Sequence, residues 1–215
     1  MSNTKQGKID SDLTYAILSK HALLDRLNSD DPTKKIIVTP LLDPDIQIGS
    51  CSIDIRLGCD FVIFKKAKFS DLNPLEKNVE SIGQYMEKMY VCIGDRFFLH
   101  PREFILGMTL EYVKLPPDIS AYITSRSTWG RLGLVIATAT AIHPNYAGVI
   151  TLELSNLGEA PIPLYPGIRV AQLIFHKTER QIQGDVSSYH LSVKPSFAKI
   201  LEEPEWEIIE KLSKK

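Results

Sequence analysis

Apolar and polar residues alternate in short runs through most of the chain. In residues 52–58, Ile53, Ile55 and Leu57 alternate with polar neighbours, which is the period-two pattern of a β-strand. Turn-forming residues separate these runs at intervals of about ten residues, which is typical of a mainly β sandwich or barrel rather than of alternating strand–helix units. The predicted strands cover residues 36–41, 52–58, 61–64, 97–101, 103–115, 119–125, 135–142, 148–156 and 168–175.

Helical patterns are short and lie near the chain ends or between strands. Ser19 is a favourable N-cap for the helical spacing in residues 20–27. Residues 128–134 predict a helical turn directly after a strand. Residues 204–215 predict a short C-terminal helix, with a proline near its first turn and lysines at its end. Residues 66–90 are rich in Lys, Glu, Asn and Ser and predict a long excursion.

A chain of 215 residues suits one domain with short terminal additions. We divide it into a polar N-terminal tail (1–14), a β-rich domain (15–180) and a C-terminal segment (181–215). The formal net charge of −1 requires no basic face, so we expect no nucleic-acid partner. A small anionic ligand needs only two or three local cations, and the charge balance permits that.

Cysteine usage and apolar run length bear on the compartment. The three cysteines, Cys51, Cys59 and Cys92, are odd in number and lack C-x-x-C spacing. That pattern argues against a disulfide framework or a structural zinc site and favours a reducing compartment. No signal-peptide core precedes the domain, and no apolar run approaches the roughly 20 residues that span a membrane. We therefore expect a cytoplasmic protein that does not enter a membrane.

The polar cluster at residues 125–131 is the first candidate for chemistry. Arg126, Ser127, Thr128 and Arg131 follow a predicted strand and open a predicted helical turn. Free N–H groups at a helix start, hydroxyls and the fork-shaped donors of arginine all suit phosphate oxygens. The plainer interpretation is an N-cap formed by Ser127 with arginines on the surface. These residues alone leave both interpretations open.

A carboxylate in mid-strand is the second candidate. Thr151, Glu153 and Ser155 share one face of the strand at residues 148–156, and Glu153 stands between two leucines. Partial desolvation would raise the pKa of that carboxyl and suit it to proton transfer. The alternative is an exposed glutamate on an edge strand, which is common.

Three motifs stand out by their order and spacing. Residues 126–134 contain R-S-T-x-x-R-x-G-L, residues 151–156 contain T-L-E-L-S-N, and residues 169–173 contain R-V-A-Q-L. In this order they resemble the dCTP deaminase family of the dCTP deaminase and dUTPase superfamily, and the resemblance extends over residues 15–178. It implies a dUTPase-like distorted β-barrel or jelly-roll with short helices. It also implies a homotrimer with sites at the subunit interfaces.

The resemblance assigns roles to the residues of these motifs. Arg126 and Thr128 would bind the triphosphate, and Ser127 would help to hold the attacking water. Arg131 would reach toward the phosphates and the catalytic carboxylate, and Glu153 would be the general base and proton shuttle. The other residues implied at or near the substrate are Asp54, His143, Tyr146, Gln172, Tyr189 and Lys194.

The implied reaction is a zinc-free hydrolytic deamination of dCTP to dUTP and ammonia. Zinc deaminases carry an H-x-E…P-C-x-x-C signature, which this sequence lacks. Without a metal to acidify the water, Glu153 must remove its proton and pass one to the base. Mg²⁺ would accompany the triphosphate, with Asp54 near it. The plainer interpretation of Asp54 is a hydrogen bond within a turn or strand.

Two departures from the family pattern keep other functions open. Residues 142–145 are Ile-His-Pro-Asn where the family usually has Ile-Asp-Pro-Gly, and the preceding segment is one residue shorter. In the dUTPase branch that Asp activates water, and His143 is a poor copy of a carboxylate. At the C-terminal lid, Tyr189 and Lys194 match the family, but residues 195–197 replace the rest.

Besides a dCTP deaminase, two further functions remain open. A pyrophosphatase of the dUTPase type is disfavoured by His143. A non-catalytic or regulatory nucleotide-binding relative is favoured by the altered hairpin and lid, and disfavoured by the presence of Ser127, Arg131 and Glu153. The candidate ligands are dCTP and, after it, dUTP and dTTP.

Overall fold

Antiparallel strands form most of the structure, a computed structural model that describes residues 16–65, 86–137, 141–179, 181–182, 191–195 and 211–212. The mainly β prediction is confirmed. The helices are α1 (Lys20–Leu27), α2 (Pro44–Gln47) and α3 (Ser127–Arg131). The strands are β1 (Ile37–Thr39), β2 (Ile53–Arg56), β3 (Asp60–Phe64), β4 (Met86–Tyr90), β5 (Phe97–Leu99), β6 (Phe104–Lys114), β7 (Ile119–Ser125), β8 (Leu134–Ile136), β9 (Ala141–Ile142), β10 (Ala147–Asn156), β11 (Ile162–Leu164) and β12 (Arg169–Lys177).

The strands form two larger sheets and a two-stranded ribbon. The first sheet has the order β4-β3-β6-β10-β8, with β1 also paired to β6. The second has the order β2-β12-β7-β9, and the ribbon joins β11 to β5. All of these pairings are antiparallel. Because β2, β12 and β7 are neighbours, segments far apart in sequence meet at the site described below.

One apolar core takes buried side chains from both sheets. Along β10, Leu152 and Leu154 are fully buried while Glu153 is partly exposed, as the alternating pattern predicts. The polar face of β2 differs, because Asp54 and Arg56 are each only 7% exposed. Charged groups that leave water need partners, and the partners of these two residues define much of the site.

Most predicted elements are present, and the exceptions are short or interrupted. The predicted strand at residues 135–142 is instead β8 and β9, which belong to different sheets. The pattern also missed α2, β4 and β11. Of the predicted C-terminal helix, residues 211–212 are described and are helical. The remainder of that helix and the tail at residues 1–14 lie outside the described residues.

A bulge interrupts the pairing of β6 with β10. Val149 is opposite Tyr112 and Thr151 is opposite Met108, so three residues of β6 face Ile150 alone. The Thr109 hydroxyl accepts a hydrogen bond from the Ile150 N–H at 3.0 Å, replacing the missing backbone acceptor. Bulges of this kind re-aim side chains, and this one includes Glu111, whose carboxylate is fully buried.

The end of α3 is fastened to the turn that follows β10. Gly133 has a φ of +95°, and a Cβ added there would lie 2.7 Å from the Gly158 nitrogen. The Leu157 N–H donates to the Gly133 carbonyl at 2.9 Å, and the Asn156 side chain accepts from the Gly158 N–H at 2.8 Å. This close approach sets the position of α3 relative to β10.

We expect Gly133→Ala to lower the free energy of unfolding more than Gly94→Ala. Gly94 also has a positive φ of +100°, but nothing lies within 4 Å of an added Cβ. Gly94→Ala therefore carries only the backbone penalty of about 1–2 kcal/mol. Gly133→Ala adds a clash with backbone atoms, for a total of about 3 kcal/mol. Urea unfolding of both variants at one protein concentration measures the difference, and equal losses would contradict the close approach.

Candidate active site

The turn that carries the predicted phosphate ligands is held on β12. Strand β7 ends at Ser125. Arg126 is the N-cap of α3, with extended backbone angles and no side-chain capping bond. The Arg126 N–H donates to the Val170 carbonyl at 3.0 Å, and the Trp129 indole donates to the Arg169 carbonyl at 2.9 Å. The interpretation of Ser127 as the N-cap is therefore wrong.

Asp54 lies at the centre of the site. Its Oδ2 is 3.3 Å from Arg126 Nε and 2.9 Å from Arg169 Nη1. Its Oδ1 accepts a hydrogen bond from Gln172 Nε2 at 2.9 Å. Both carboxylate oxygens are thus occupied, and one anion holds two cations. The strand hydrogen bond considered for Asp54 is present, as the bond to Gln172, and the arginine contacts extend it into a cluster.

The two arginines remain open to solvent on one side. The side chains of Arg126 and Arg169 are 29% and 28% exposed, whereas that of Asp54 is 9% exposed. Arg169 Nη1 also donates to the Ile46 carbonyl at 2.7 Å. Arg126 Nη1 donates to the Arg169 carbonyl at 3.4 Å. Because each guanidinium group carries five donors, both arginines keep further donors for an anion. The cluster carries one positive charge in excess.

Sequence reasoning missed Arg169 and Ile46 as parts of the site. Arg169 was noted only within the R-V-A-Q-L motif. Its spacing from Gln172 gave no signal, because residues three positions apart lie on opposite faces of a regular strand. A bulge in the β2–β12 pairing after Arg169 places the two residues beside Arg56 and Asp54 respectively. Ile46 contributes only its backbone carbonyl, and no side-chain pattern could indicate that.

Glu153 lies in β10 between β6 and β8. Its pairing partner on β6 is Leu106, and its carbonyl accepts from the Ala137 N–H at 2.9 Å. Partial burial raises the pKa of the Glu153 carboxyl, as predicted from its leucine neighbours. The edge-strand alternative is wrong, because both sides of β10 are bonded at this point. Within the part of the chain that the structure describes, no cation pairs with the carboxylate.

The catalytic partners predicted for Glu153 lie on α3, at the surface of the described structure. Ser127, Thr128 and Arg131 are exposed residues of α3. Among the described residues, no hydrogen bond or ion pair joins their side chains to Glu153. The helix α3 connects β7 of the second sheet to β8, which pairs with β10, and the predicted cooperation of its side chains with Glu153 stays a prediction.

The turn between β9 and β10 carries His143 at the surface and Tyr146 in the core. The hairpin expected before the Glu153 strand is not formed by these two strands, because β9 and β10 belong to different sheets. His143 is exposed, and its carbonyl accepts from the Tyr146 N–H at 3.2 Å. The Tyr146 ring is 7% exposed, and its hydroxyl donates to the Val149 carbonyl at 2.7 Å. Burial raises the pKa of Tyr146 to about 12. Tyr146 thus holds the turn that presents His143, and its predicted substrate contact stays a prediction.

The predicted lid residues are only partly described. Residues 191–195 lie beside β10, where the Leu191 N–H donates to the Ala147 carbonyl at 2.6 Å and the Val149 N–H donates to the Ser192 carbonyl at 2.8 Å. Lys194 is largely exposed, with its Nζ 3.5 Å from Asp60 Oδ1. Tyr189 lies outside the described residues.

Metal ligands, cysteines and possible membrane segments complete the survey. In the described ranges, no group of three or more His, Cys, Asp or Glu side chains is placed to hold a metal ion. Cys51 and Cys92 are exposed, Cys59 is buried, and all three are free thiols. None of the described helices has the length and apolar character needed to cross a membrane.

Known proteins similar to this chain agree with one another. A family model described as dCTP deaminase-like matches residues 17–178. A dCTP deaminase of Halorubrum lacusprofundi is 46% identical over 160 residues, which cover 74% of this chain and 76% of the relative. A dUMP-forming dCTP deaminase of Methanobrevibacter smithii is 46% identical over 142 residues, covering 66% and 72%.

A solved structure is similar in fold. It is the 2'-deoxycytidine 5'-triphosphate deaminase of Agrobacterium tumefaciens, with a TM-score of 0.58 at 24% identity. The match covers 76% of this chain and 49% of that one, so this chain spans about half its length. At this identity the likeness shows the fold, and it bears out the predicted dCTP deaminase and dUTPase type of architecture.

Removing the Glu153 charge is expected to stabilise the fold at neutral pH. The folded-state pKa of Glu153 is raised by desolvation, so the ionised carboxylate opposes folding above that pKa. Glu153→Gln should therefore unfold at higher urea than the natural protein at pH 7. The difference should shrink as the pH falls toward about 4.3, the ordinary glutamate value, because the natural carboxyl is then protonated.

Glu159→Gln is the matched control, since Glu159 is exposed in the turn after β10. That change should move the free energy of unfolding by no more than about 0.5 kcal/mol. The desolvation argument would be contradicted if the gain in stability of Glu153→Gln over the natural protein were smaller at pH 7 than at acid pH.

Proposed function

Since this chain belongs to the dCTP deaminase-like family, we propose that it hydrolyses the exocyclic C–N bond of dCTP and releases ammonia. The observation that carries the proposal is the pair of carboxylates in opposite environments within the family-matched span. Asp54 holds two arginines for an anion, whereas Glu153 is partly desolvated with no cation paired to it in the described part of the chain.

Glu153 is proposed as the general base and proton shuttle. Water adds to C4 of cytosine as the carboxylate takes its proton, and the carboxyl passes that proton to ring nitrogen N3. The carboxylate then takes the proton of the new C4 hydroxyl and passes it to the amino group. The C4–N bond breaks as the C4 carbonyl forms, and the amino group leaves as ammonia. A carboxyl with a raised pKa is suited to both steps, because it accepts a proton from water more readily than an ordinary carboxylate does. Ser127 is proposed to hold the water, and Arg131 to support the charge that develops.

The triphosphate is proposed to bind at the arginine cluster. Arg126 keeps donors free on the side away from Asp54, and Thr128 offers a hydroxyl on the same turn. Mg²⁺ is proposed to enter with the nucleotide, held by phosphate oxygens. Asp54 is a weak candidate ligand for it, because both oxygens already contact Arg126, Arg169 and Gln172. The deamination itself is proposed to need no zinc.

We also propose a homotrimer in the cytoplasm. The resemblance implies sites that are shared between subunits. Two exposed free thiols, Cys51 and Cys92, suit a reducing compartment. Light scattering at micromolar concentration measures the number of copies directly.

The product is proposed to be dUTP, with a second candidate favoured by some relatives. Relatives from Methanobrevibacter smithii and Dictyoglomus turgidum are named dUMP-forming. Such a reaction would also cleave the bond between the α- and β-phosphates and release pyrophosphate. The base that aims water at the α-phosphorus belongs, by resemblance, at the position of His143.

Incubation of the protein with dCTP and Mg²⁺ is expected to yield a uracil nucleotide and ammonia. Glu153→Gln should retain dCTP binding but lose most turnover, since general catalysis contributes roughly 10²–10⁴-fold. Chromatography of the products, over a panel that includes CTP and dUTP, tests substrate and reaction together. A Glu153→Gln variant with more than about a tenth of normal turnover would exclude the base role. Binding of dCTP without any product would favour a regulatory role instead.

Arg126→Ala and Arg131→Ala are each expected to weaken dCTP binding by about 1.5–3 kcal/mol, the size of a lost charged hydrogen bond. Calorimetry on the Glu153→Gln background measures affinity without turnover. Lys34→Ala is a control, because Lys34 forms an exposed ion pair with Asp31 near α1. Unchanged affinity for dCTP in both arginine variants would show that the triphosphate binds elsewhere.

Deamination is expected to proceed without release of pyrophosphate. An imidazole at the position of His143 can act as a base. The segment before it is one residue shorter than the family pattern, however, and an error of about 1 Å in the placement of a catalytic group can cost on the order of 10²-fold. Pyrophosphate and uracil nucleotides are followed together, from dCTP and separately from dUTP. Equal amounts of dUMP and pyrophosphate, formed in step with enzyme concentration, would establish the second candidate. Release of pyrophosphate by His143→Asp alone would show that this residue sets the product.

A further inference from the structure

A second charged cluster lies behind Asp54, out of contact with solvent. Glu111 and Gln47 are fully buried, and Arg56 is 7% exposed. Glu111 Oε2 accepts from the Arg56 backbone N–H at 2.8 Å, and Oε1 accepts from Gln47 Nε2 at 3.1 Å. Arg56 Nη1 lies 3.5 Å from Glu111 Oε1. The cluster joins β6 of the first sheet to β2 of the second.

Stabilisation of the fold does not by itself explain this buried charged cluster. Burial raises the pKa of Glu111 despite the neighbouring arginine, so removing this charge from water is only partly compensated. Arg56 Nη1 is buried and makes no hydrogen bond with the described residues. Apolar side chains of similar volume commonly stabilise a fold at least as well as a buried ion pair. A role beyond stability is therefore reasonable.

Gln47 links this cluster to the site. Its Nε2 donates to the Asp54 carbonyl at 3.1 Å as well as to Glu111. Its Oε1 accepts from the Asp43 N–H at 3.1 Å, so the orientation of the amide is determined. Glu111 thereby holds β2 on both sides of Ile55. It bonds the Arg56 N–H directly, and it is linked to the Asp54 carbonyl through Gln47.

The same link fixes a second contact of the site. Gln47 ends α2, and the residue before it, Ile46, presents the carbonyl that accepts from Arg169 Nη1 at 2.7 Å. Asp54 presents the carboxylate that contacts both Arg126 and Arg169. Both acceptors that orient the arginines thus belong to segments that Glu111 and Gln47 hold in place.

We propose that Glu111 is a positioning residue, which acts through Gln47 and Arg56 to set the arginine pair that receives the triphosphate. The inference rests on the proposed function only in naming the triphosphate as ligand. It predicts that the cluster affects nucleotide binding more than the chemical step, because Glu153 lies on another strand. Loss of the cluster should raise the KM for dCTP and leave kcat nearly unchanged.

Three variants test this link at different points. Arg56→Met combined with Glu111→Leu replaces the buried charges by apolar groups of similar size. Glu111→Gln keeps the shape but sets an amide donor against Gln47 Nε2 or the Arg56 N–H, both of which are donors. Gln47→Met leaves the ion pair in place and removes the hydrogen bonds of the Gln47 amide to Glu111, to the Asp54 carbonyl and to the Asp43 N–H.

The control removes an ion pair of the same kind elsewhere. Arg26 and Asp118 join α1 to the turn before β7, with side chains 18% and 15% exposed. Neither contacts Asp54 or its partners. Arg26→Met combined with Asp118→Leu should leave the KM for dCTP unchanged, even if the variant is less stable.

The readouts are steady-state kinetics with dCTP and the NMR signal of the Arg126 Nε–H, assigned by its loss in Arg126→Lys. In each of the three variants we expect the KM to rise by about tenfold or more, with kcat within about threefold of normal. The Arg126 signal should shift, because its contact with Asp54 is disturbed. The control should change neither.

Unchanged KM and an unshifted Arg126 signal in the folded variants would overturn the inference. So would a loss of kcat and thermal stability together with an unchanged KM, since that is a purely structural role. If the double variant fails to fold, Gln47→Met decides between these outcomes. If the natural protein does not deaminate dCTP, the proposed function fails by itself. Titration of the Arg126 signal with inorganic triphosphate, in the natural protein and in Gln47→Met, then still judges the inference.

Discussion

The carboxylate of Asp54 is the interaction on which the site depends. It is almost excluded from water, and a carboxylate in that position persists only when paired and hydrogen-bonded. Three neighbouring strands meet the requirement, since β2 supplies Asp54, the end of β7 supplies Arg126, and β12 supplies Arg169 and Gln172. The strand order β2-β12-β7 therefore determines the site. Two cations gathered by one anion leave an excess positive charge at a surface that remains partly open.

The second carboxylate has the opposite environment, and this contrast divides the chemical work. Both oxygens of Asp54 are occupied by donors from two arginines and a glutamine. The pKa of Glu153 is raised by desolvation, and no cation pairs with its carboxylate in the described part of the chain. A carboxylate bonded to cations suits an organising role, whereas a desolvated carboxyl without a paired cation suits proton transfer. This contrast supports the proposed roles, in which Asp54 organises phosphate binding and Glu153 exchanges protons with water and the cytosine ring.

The sequence predicted those features that local spacing controls. The alternation around Glu153 predicted its strand, its face and its desolvation, and α3 followed from the polar cluster after β7. Features that depend on pairing between distant segments were missed. Arg169 meets Asp54 only because β12 pairs with β2, and α2 spans four residues, too few for a periodic signal. The bulge in β6 left no mark in residues 103–115, because Thr109 and Glu111 stand two positions apart as polar residues do in a regular strand. It becomes visible only in the structure, where the Thr109 hydroxyl bonds Ile150.

The relation of Glu153 to α3 bears on assembly. Glu153 belongs to β10, whereas Ser127 and Arg131 lie on α3, which connects β7 of the second sheet to β8 of the first. Proton transfer requires approach to about 3 Å of the reacting atoms, directly or through one water. In the described part of a single chain, no hydrogen bond or ion pair joins the Glu153 carboxylate to the α3 side chains. The homotrimer that we propose offers one arrangement that would bring them together, in which α3 of one copy faces Glu153 of the next. On that arrangement the arginine cluster is complete within each chain, whereas the chemical step belongs to the assembly.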